Sequence, residues 1–302
     1  MKDPRLTALR RFSISLTAFN ILGYYWFGFE QPWLWPFMAV GTACATELLL
    51  ETLSAWAGHR APAYQGSGAM GMVNFLMPAY ITGLAVNMLL YANDKPWPVV
   101  FAIVVAVGQK TVLRARIGGK VRHFMNPSNF GITVTLLLWN WISIAPPYEF
   151  SENLDTPARW IVPAAILASG TLLNAKLTRK MPLIAGWVLA FAGQAVLRHF
   201  LFGTSMISAL LVMTGIAFVL FMNYMMTDPA TTPVRPRNQV AFGAGVAIVY
   251  GALVDLHIVF GLFFALCIVC GIRGVYHWSA ATVRALRPAA PVPEPVPAEV
   301  PA

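Results

Sequence analysis

The sequence predicts an all-α, polytopic membrane protein of about ten transmembrane helices, and three observations carry that prediction. Only 11% of its 302 residues are Asp, Glu, Lys or Arg, while 58% are apolar or aromatic; ordinary soluble domains carry about 25% charge. Apolar runs long enough to cross roughly 30 Å of hydrocarbon recur from Phe12 almost to Trp278. Finally, 18 of the 21 Lys and Arg residues fall in alternate gaps between those runs, which is how membrane proteins record their orientation. Residues 1–287 are therefore expected to form one transmembrane domain, with no room for a soluble catalytic domain. Residues 288–302, rich in Pro, are expected to be a disordered tail.

The expected spans are 12–29, 33–57, 70–92, 97–113, 127–144, 159–175, 182–200, 204–226, 238–254 and 257–278. Bulky Gly23-Tyr24-Tyr25-Trp26-Phe27 follows the first apolar run where a signal peptide would place small residues, so that run reads as an uncleaved helix. The basic side starts with Lys2, Arg5, Arg10 and Arg11 and ends with Arg273, Arg284 and Arg287, leaving Lys95, Arg159 and Arg198 for the other side. Positive residues stay inside, so both termini are expected in the cytoplasm of a bacterial-type inner membrane. Glu30, Asp94, Glu149, Glu152, Asp155 and Asp255 then fall outside. A net charge of +9 could serve nucleic acid, but short clusters between apolar runs serve orientation instead; the expected partner is the lipid bilayer, with no nucleic acid.

Two breaks carry most of the polar chemistry. Asn126-Pro127-Ser128-Asn129-Phe130-Gly131 opens the fifth span with a capping Asn and a Pro at the first helical position. Free amides at such a start attract anions, and Arg114, Arg116, Lys120, Arg122 and His123 precede it. The group could hold a phosphate, a flavin or a quinone oxygen; a well-capped helix behind a positive-inside loop explains the same letters. Thr227-Asp228-Pro229-Ala230-Thr231-Thr232-Pro233 follows the eighth span on the same side and offers a carboxylate and three hydroxyls, as does an ordinary Asp-Pro turn. A division of ten spans into five and five makes the halves opposite in orientation, as in inverted-repeat folds.

Glu47 and Glu51 lie one helical turn apart within the second span. Acids at that depth are candidates for a proton or ion path, or for a structural pair with Arg114 or Arg116. Asn74, Asn87, Asn140, Asn174 and Asn223 read mostly as interhelical glue. Gly66-Ser67-Gly68-Ala69-Met70-Gly71 has the letters of a dinucleotide fingerprint but no βαβ context, and is rejected. Cys267 and Cys270, without nearby ligands, read as small packing residues; no metal is expected.

The string Arg116-Ile117-Gly118-Gly119-Lys120-Val121-Arg122-His123-Phe124-Met125-Asn126-Pro127-Ser128-Asn129-Phe130-Gly131, followed some 100 residues on by Met225-Met226-Thr227-Asp228-Pro229-Ala230-Thr231-Thr232-Pro233, resembles the RnfD and NqrB family. Those are membrane subunits of the Rnf complex and of the sodium-pumping NADH:quinone reductase. The resemblance covers most of the membrane region. It implies a ten-helix inverted repeat, flavin binding, and electron transfer coupled to ion movement, in a redox subunit without independent catalytic activity and with other membrane redox subunits as partners. The short outer loops and the stretch Asn74-Phe75-Leu76-Met77-Pro78-Ala79-Tyr80-Ile81 look most like the UnbU branch, associated with enediyne biosynthesis.

The resemblance implies a cofactor site over Arg114, Arg116, Lys120, Arg122, Asn126, Ser128, Asn129, Thr227, Asp228, Thr231 and Thr232, with FMN or riboflavin held noncovalently. The respiratory relatives attach FMN to the Thr of a Ser-Gly-Ala-Thr string. Here Ser67-Gly68-Ala69 ends in Met70, Ser169-Gly170-Thr171 lies within a span, and the outer loop offers only Asp155-Thr156-Pro157, so covalent FMN is not expected. Two other readings stay open: a transporter of a small solute, ion or natural product, and a scaffold for a larger complex.

Overall fold

Proline punctuates the helix starts. Pro36, Pro98, Pro127, Pro157, Pro182 and Pro236 sit in the first turn of their helices, where a missing N–H breaks no hydrogen bond. The computed structural model describes residues 4–66 and 68–286; Ser67 and the Pro-rich segment 288–302 lie outside the described residues. In chain order the helices are α1 (Pro4–Leu22), α2 (Trp35–Ala57), α3 (Gly68–Leu89), α4 (Trp97–Val112), α5 (Pro127–Leu138), α6 (Thr156–Leu173), α7 (Met181–Phe202), α8 (Met206–Leu211), α9 (Ile216–Leu220), α10 (Pro236–Asp255) and α11 (Gly261–Leu286).

Six described helices are long and apolar enough to cross a bilayer: α2, α3, α6 with its following turn, α7, α10 and α11. A seventh span arises if Met206–Thr214 and Ile216–Met225, bent by 63° at Gly215, count as one. The chain is a multi-pass membrane protein. The other three expected spans are less simple than their apolar letters implied. Arginines crowd the start of α1. At 16 and 12 residues, α4 and α5 are about 24 and 18 Å long, short of a full crossing.

Two small ribbons interrupt the helices. β1 (Leu90–Tyr91) pairs antiparallel with β4 (Ser143–Ile144), and β2 (Arg114–Ile117) pairs antiparallel with β3 (Lys120–His123). Gly118 and Gly119 turn the second ribbon with φ of 59° and 80°, the left-handed pair that a two-residue hairpin turn requires.

Packing is local within each half of the chain. In the first, α1 lies on α3, α2 on α3 and α4, and α4 on α5; in the second, α6 lies on α9, α7 on α8 and α10, and α10 on α11. The halves meet where α5 and β2 touch α11, where the turn after α6 touches α1, and where Phe12 and Phe19 pack on Tyr224. Apolar side chains gain little by leaving lipid for one another, so tight backbone approach has to hold such helices together. A Cβ on Gly243 of α10 would stand 2.2 Å from the Leu183 carbonyl oxygen of α7, and one on Gly186 of α7 would stand 2.5 Å from that of Val240. Gly131 of α5 meets the Ala102 carbonyl of α4 in the same way.

Gly243→Ala is expected to lower stability by about 1–3 kcal/mol, because overpacking against a carbonyl outweighs the roughly 1 kcal/mol that Ala gains in helix propensity. Gly193→Ala, with nothing within 4 Å of its Cβ position, is expected to be neutral or stabilising. Denaturant unfolding in detergent micelles would compare them, and equal effects would show that this crossing is not close.

Candidate functional site

The two polar breaks meet. Asn126 has the extended backbone of an N-cap, with φ −67° and ψ 124°, and its Oδ1 accepts from the Asn129 amide at 3.0 Å. Its Nδ2 donates to the Met225 carbonyl at 2.9 Å, just before the Thr227–Pro233 segment. Ser128 Oγ donates to Asn126 Oδ1 at 3.2 Å, and Asn129 Nδ2 donates to the Phe263 carbonyl of α11 at 3.0 Å. Asn126, Ser128 and Asn129 are all buried, and Asn129 Oδ1 has no partner.

The second break folds around Asp228. Its carboxylate accepts from the Ala230 amide at 3.0 Å and from Thr231 Oγ1 at 2.9 Å, while its carbonyl accepts from Thr232 Oγ1. Thr227 Oγ1 donates back to the Asn223 carbonyl at 2.6 Å. The carboxylate and hydroxyls expected here as ligands thus also hold their own turn.

Two cations that sequence reasoning left out complete the junction. Lys180, 3% exposed, donates its Nζ to the Pro233 carbonyl at 2.7 Å. Arg273 of α11 donates to the Thr231 carbonyl. Burial pushes the Lys180 ammonium down to about 8 against the pull of Asp228, with Arg273 pushing the same way as burial. Burial also lowers His123, again opposed by Asp228. Lys180 follows the turn Asn174–Thr178 and a left-handed Arg179; read from sequence alone it was one more positive-inside residue.

The four expected basic ligands do not converge. Strand alternation puts Arg114 and Arg116 on one face of the β2–β3 ribbon and Lys120 and Arg122 on the other, given the register Ala115↔Arg122 and Arg116↔Val121. Arg114, Arg116 and Lys120 are exposed, and Arg122 is half-buried within electrostatic reach of Arg273. The ribbon docks on α11, where Trp278 Nε1 donates to the Arg114 carbonyl at 2.7 Å and stacks edge-on with Phe124. A cavity of about 270 Å³ there is lined by Arg116, His277 and Arg284. Another, of about 300 Å³, is lined by Phe191, Gln194, Arg198, Thr204 and Tyr250 and by none of the expected site residues.

Glu51 is not among the junction contacts, whereas Glu47 lies within electrostatic reach of His123, on which Asp228 also acts. Glu47 pairs with Lys110 of α4 at 2.9 Å, and Glu51 with Arg60 at 2.5 Å, rather than with Arg114 or Arg116. Thr156 opens α6 behind the capping carboxylate of Asp155. No protein-family model and no curated protein matches this chain.

Asn126 serves as a helix cap and as a bridge to the second break, and two substitutions separate these roles. Asn126→Ala removes both and is expected to cost about 1–2 kcal/mol. Asn126→Asp keeps the acceptor for the Asn129 amide but cannot donate to Met225, so it should recover about half of that in detergent unfolding. Full recovery by Asp would show that the bridge contributes nothing.

Proposed function

We propose that the chain is a membrane redox subunit of the RnfD/NqrB type, most like the UnbU branch, that holds FMN or riboflavin noncovalently where its two polar breaks meet. One observation carries this reading: Lys180 and Arg273 are set against main-chain carbonyls beside the buried start of α5, and the acid facing Lys180, Asp228, is already engaged by its own turn. A surplus of positive charge, buried at Lys180 and half-buried at Arg273, beside a helix N-terminus favours an anion, and the phosphate of FMN meets that requirement. Asn126, Ser128, Asn129, Arg122, Lys180, Arg273 and the Thr227–Thr232 turn would surround it. Bound flavin would supply one- and two-electron transfer, with other membrane redox subunits as partners and enediyne-type biosynthesis as a setting.

The same proposal includes ten spans in a five-plus-five inverted repeat, with both termini in the cytoplasm of an inner membrane. Its support is a parallel in packing: the pairs α1–α3, α2–α3, α2–α4 and α4–α5 recur as α6–α9, α7–α8, α7–α10 and α10–α11, although α3 also packs on α4 and α5. Both α1 and α6 end in a five-residue π turn closed by a left-handed residue, Gly28 and Arg179. Each half also links its first and third spans through buried asparagines, Asn20 with Asn87 and Asn174 with the Asn223 carbonyl. The bent α8–α9 segment and the half-length α5 favour a second reading as a transporter, since broken helices line transport sites.

Flavin absorbance of the purified protein tests the first reading, and solute flux in liposomes without a redox donor tests the second. Lys180→Gln and Arg273→Gln are each expected to reduce flavin retention about tenfold, the worth of one charge-assisted hydrogen bond. Lys120→Gln, exposed on the ribbon, should not. Retention should also fall as pH rises through about 8, where Lys180 loses its proton. A correctly inserted protein that carries no flavin, or binds it equally in all these variants, would refute the cofactor reading.

Topology is tested separately by reporter fusions after Arg122, Arg237, Asp94 and Glu152. The first two should report cytoplasm and the last two the outside; reversal at either of the last two would overturn the ten-span arrangement.

A further inference from the structure

Glu149 is the acid that the protein leaves alone. It sits in the turn Pro147–Phe150, is 0% exposed, and neither carboxylate oxygen has a hydrogen-bond partner. Glu47, Glu51 and Asp255 are all ion-paired, whereas no ion pair among the described residues includes Glu149. The titratable groups facing it are Glu30, Glu152, Tyr24, Tyr91 and Tyr148. Every one that carries charge is negative, and α9, which packs on the same turn, contributes only Ile216–Leu220. An ionised carboxylate here is stripped of water and repelled by its neighbours, so it binds a cation or a proton. Among the described residues no group of three His, Cys, Asp or Glu could hold a metal ion, whereas a proton needs no such set of ligands.

Behind Glu149 a line of polar contacts runs between α1 and α3. Tyr24, within electrostatic reach of Glu149, accepts from Asn87 Nδ2 at 3.2 Å, and that amide also donates to Asn20 Oδ1 at 3.1 Å. Asn87 is fully buried and its Oδ1 is unpartnered. Further along, Thr17 meets Tyr80 at 2.6 Å and Arg10 donates to Asn74 at 3.1 Å. Residues 10, 17, 20 and 24 recur at helical spacing, so these three separate contacts line one face of α1 and its closing π turn, a seam from the basic start to the acidic end.

We propose that Glu149 is a proton-binding site at the end of this seam: its carboxylate takes a proton from water at the Glu30–Glu152 rim, holds it as the neutral acid, and faces Tyr24, the residue that Asn87 hydrogen-bonds. This does not depend on the cofactor reading. Burial first, then Glu30 and Glu152, push the carboxyl up to about 7, so its charge changes near neutral pH. With the folded value above the ordinary one, native protein keeps the proton that the unfolded chain releases, and stability falls as pH rises toward 7.

Infrared difference spectroscopy of the full chain in liposomes, titrated from about pH 5 to about pH 9, reads the protonated carboxyl directly. The wild type should lose a carboxylic-acid C=O band with a midpoint near 7. Glu149→Gln should lack the band, Glu30→Gln should move its midpoint down, and Tyr24→Phe should change its position. A wild type with no such band, or with a midpoint in the ordinary carboxylate range, would overturn the proposal, as would a band untouched in Glu149→Gln. Tyr24→Phe without effect would show that Glu149 does not face the seam. Loss of the band at fixed pH on adding sodium chloride, but not choline chloride, would make this a metal-cation site instead.

Discussion

The contact between α7 and α10 at Gly186 and Gly243 fixes the geometry of the junction. Each glycine lies against a carbonyl of the opposite helix, and the crossing falls within about two turns of the start of both. Lys180 immediately precedes α7 and Pro233 shortly precedes α10, so the same crossing that brings the helices together delivers the lysine to the proline carbonyl. The Thr227–Pro233 turn is then held between the end of the bent segment and a helix that cannot slide. Asn126 ties the end of the bent segment, at Met225, to α5, and Arg273 ties the turn to α11. Four elements distant in the sequence converge because two residues lack a Cβ.

Much of the scaffold was legible because lipid imposes simple rules. Composition, apolar run length and the placement of arginine and lysine identify a multi-pass chain before any contact is known. The Asn-Pro start of α5 was readable too, since capping is a local matter of one side chain and one amide. Less readable was whether an apolar run is a whole helix. Residues 127–144 look like one span, yet α5 stops at Leu138, Trp139 turns extended, and Ser143–Ile144 pairs with Leu90–Tyr91. Nothing in the apolar letters separates these states, because both bury the same side chains.

At the candidate site the sequence located the backbone better than the charges. It named both breaks, which the structure joins, but assigned the cations by proximity along the chain. Gly118-Gly119 between Arg-Ala-Arg-Ile and Lys-Val-Arg-His was the available signal for a hairpin, and a hairpin separates neighbouring residues onto opposite faces. Lys180 and Arg273 lie 47 and 46 residues from Thr227 and 54 and 147 residues from Asn126, and only tertiary packing shows that they belong. Of the asparagines read as glue, Asn74, Asn87 and Asn174 bridge elements through their side chains, whereas the Asn223 amide donates to the Val219 carbonyl of its own segment and its Oδ1 has no partner.

The short pair α4 and α5 has a consequence for the surrounding lipid. Both helices fall short of a roughly 30 Å hydrocarbon core, and where they run out Trp97, Trp139 and Trp141 cluster, with Trp97 and Trp141 exposed. Indole rings settle at headgroup depth, so the bilayer beside this edge has to thin or the bundle has to tilt to meet them. Leu137 and Leu138, exposed at the end of α5, would otherwise stand in a film thicker than their helix. The exposed end of α5 at Leu137 and Leu138, rimmed by Trp97 and Trp141, is the place where hydrophobic mismatch would bear on the helix that carries Asn126.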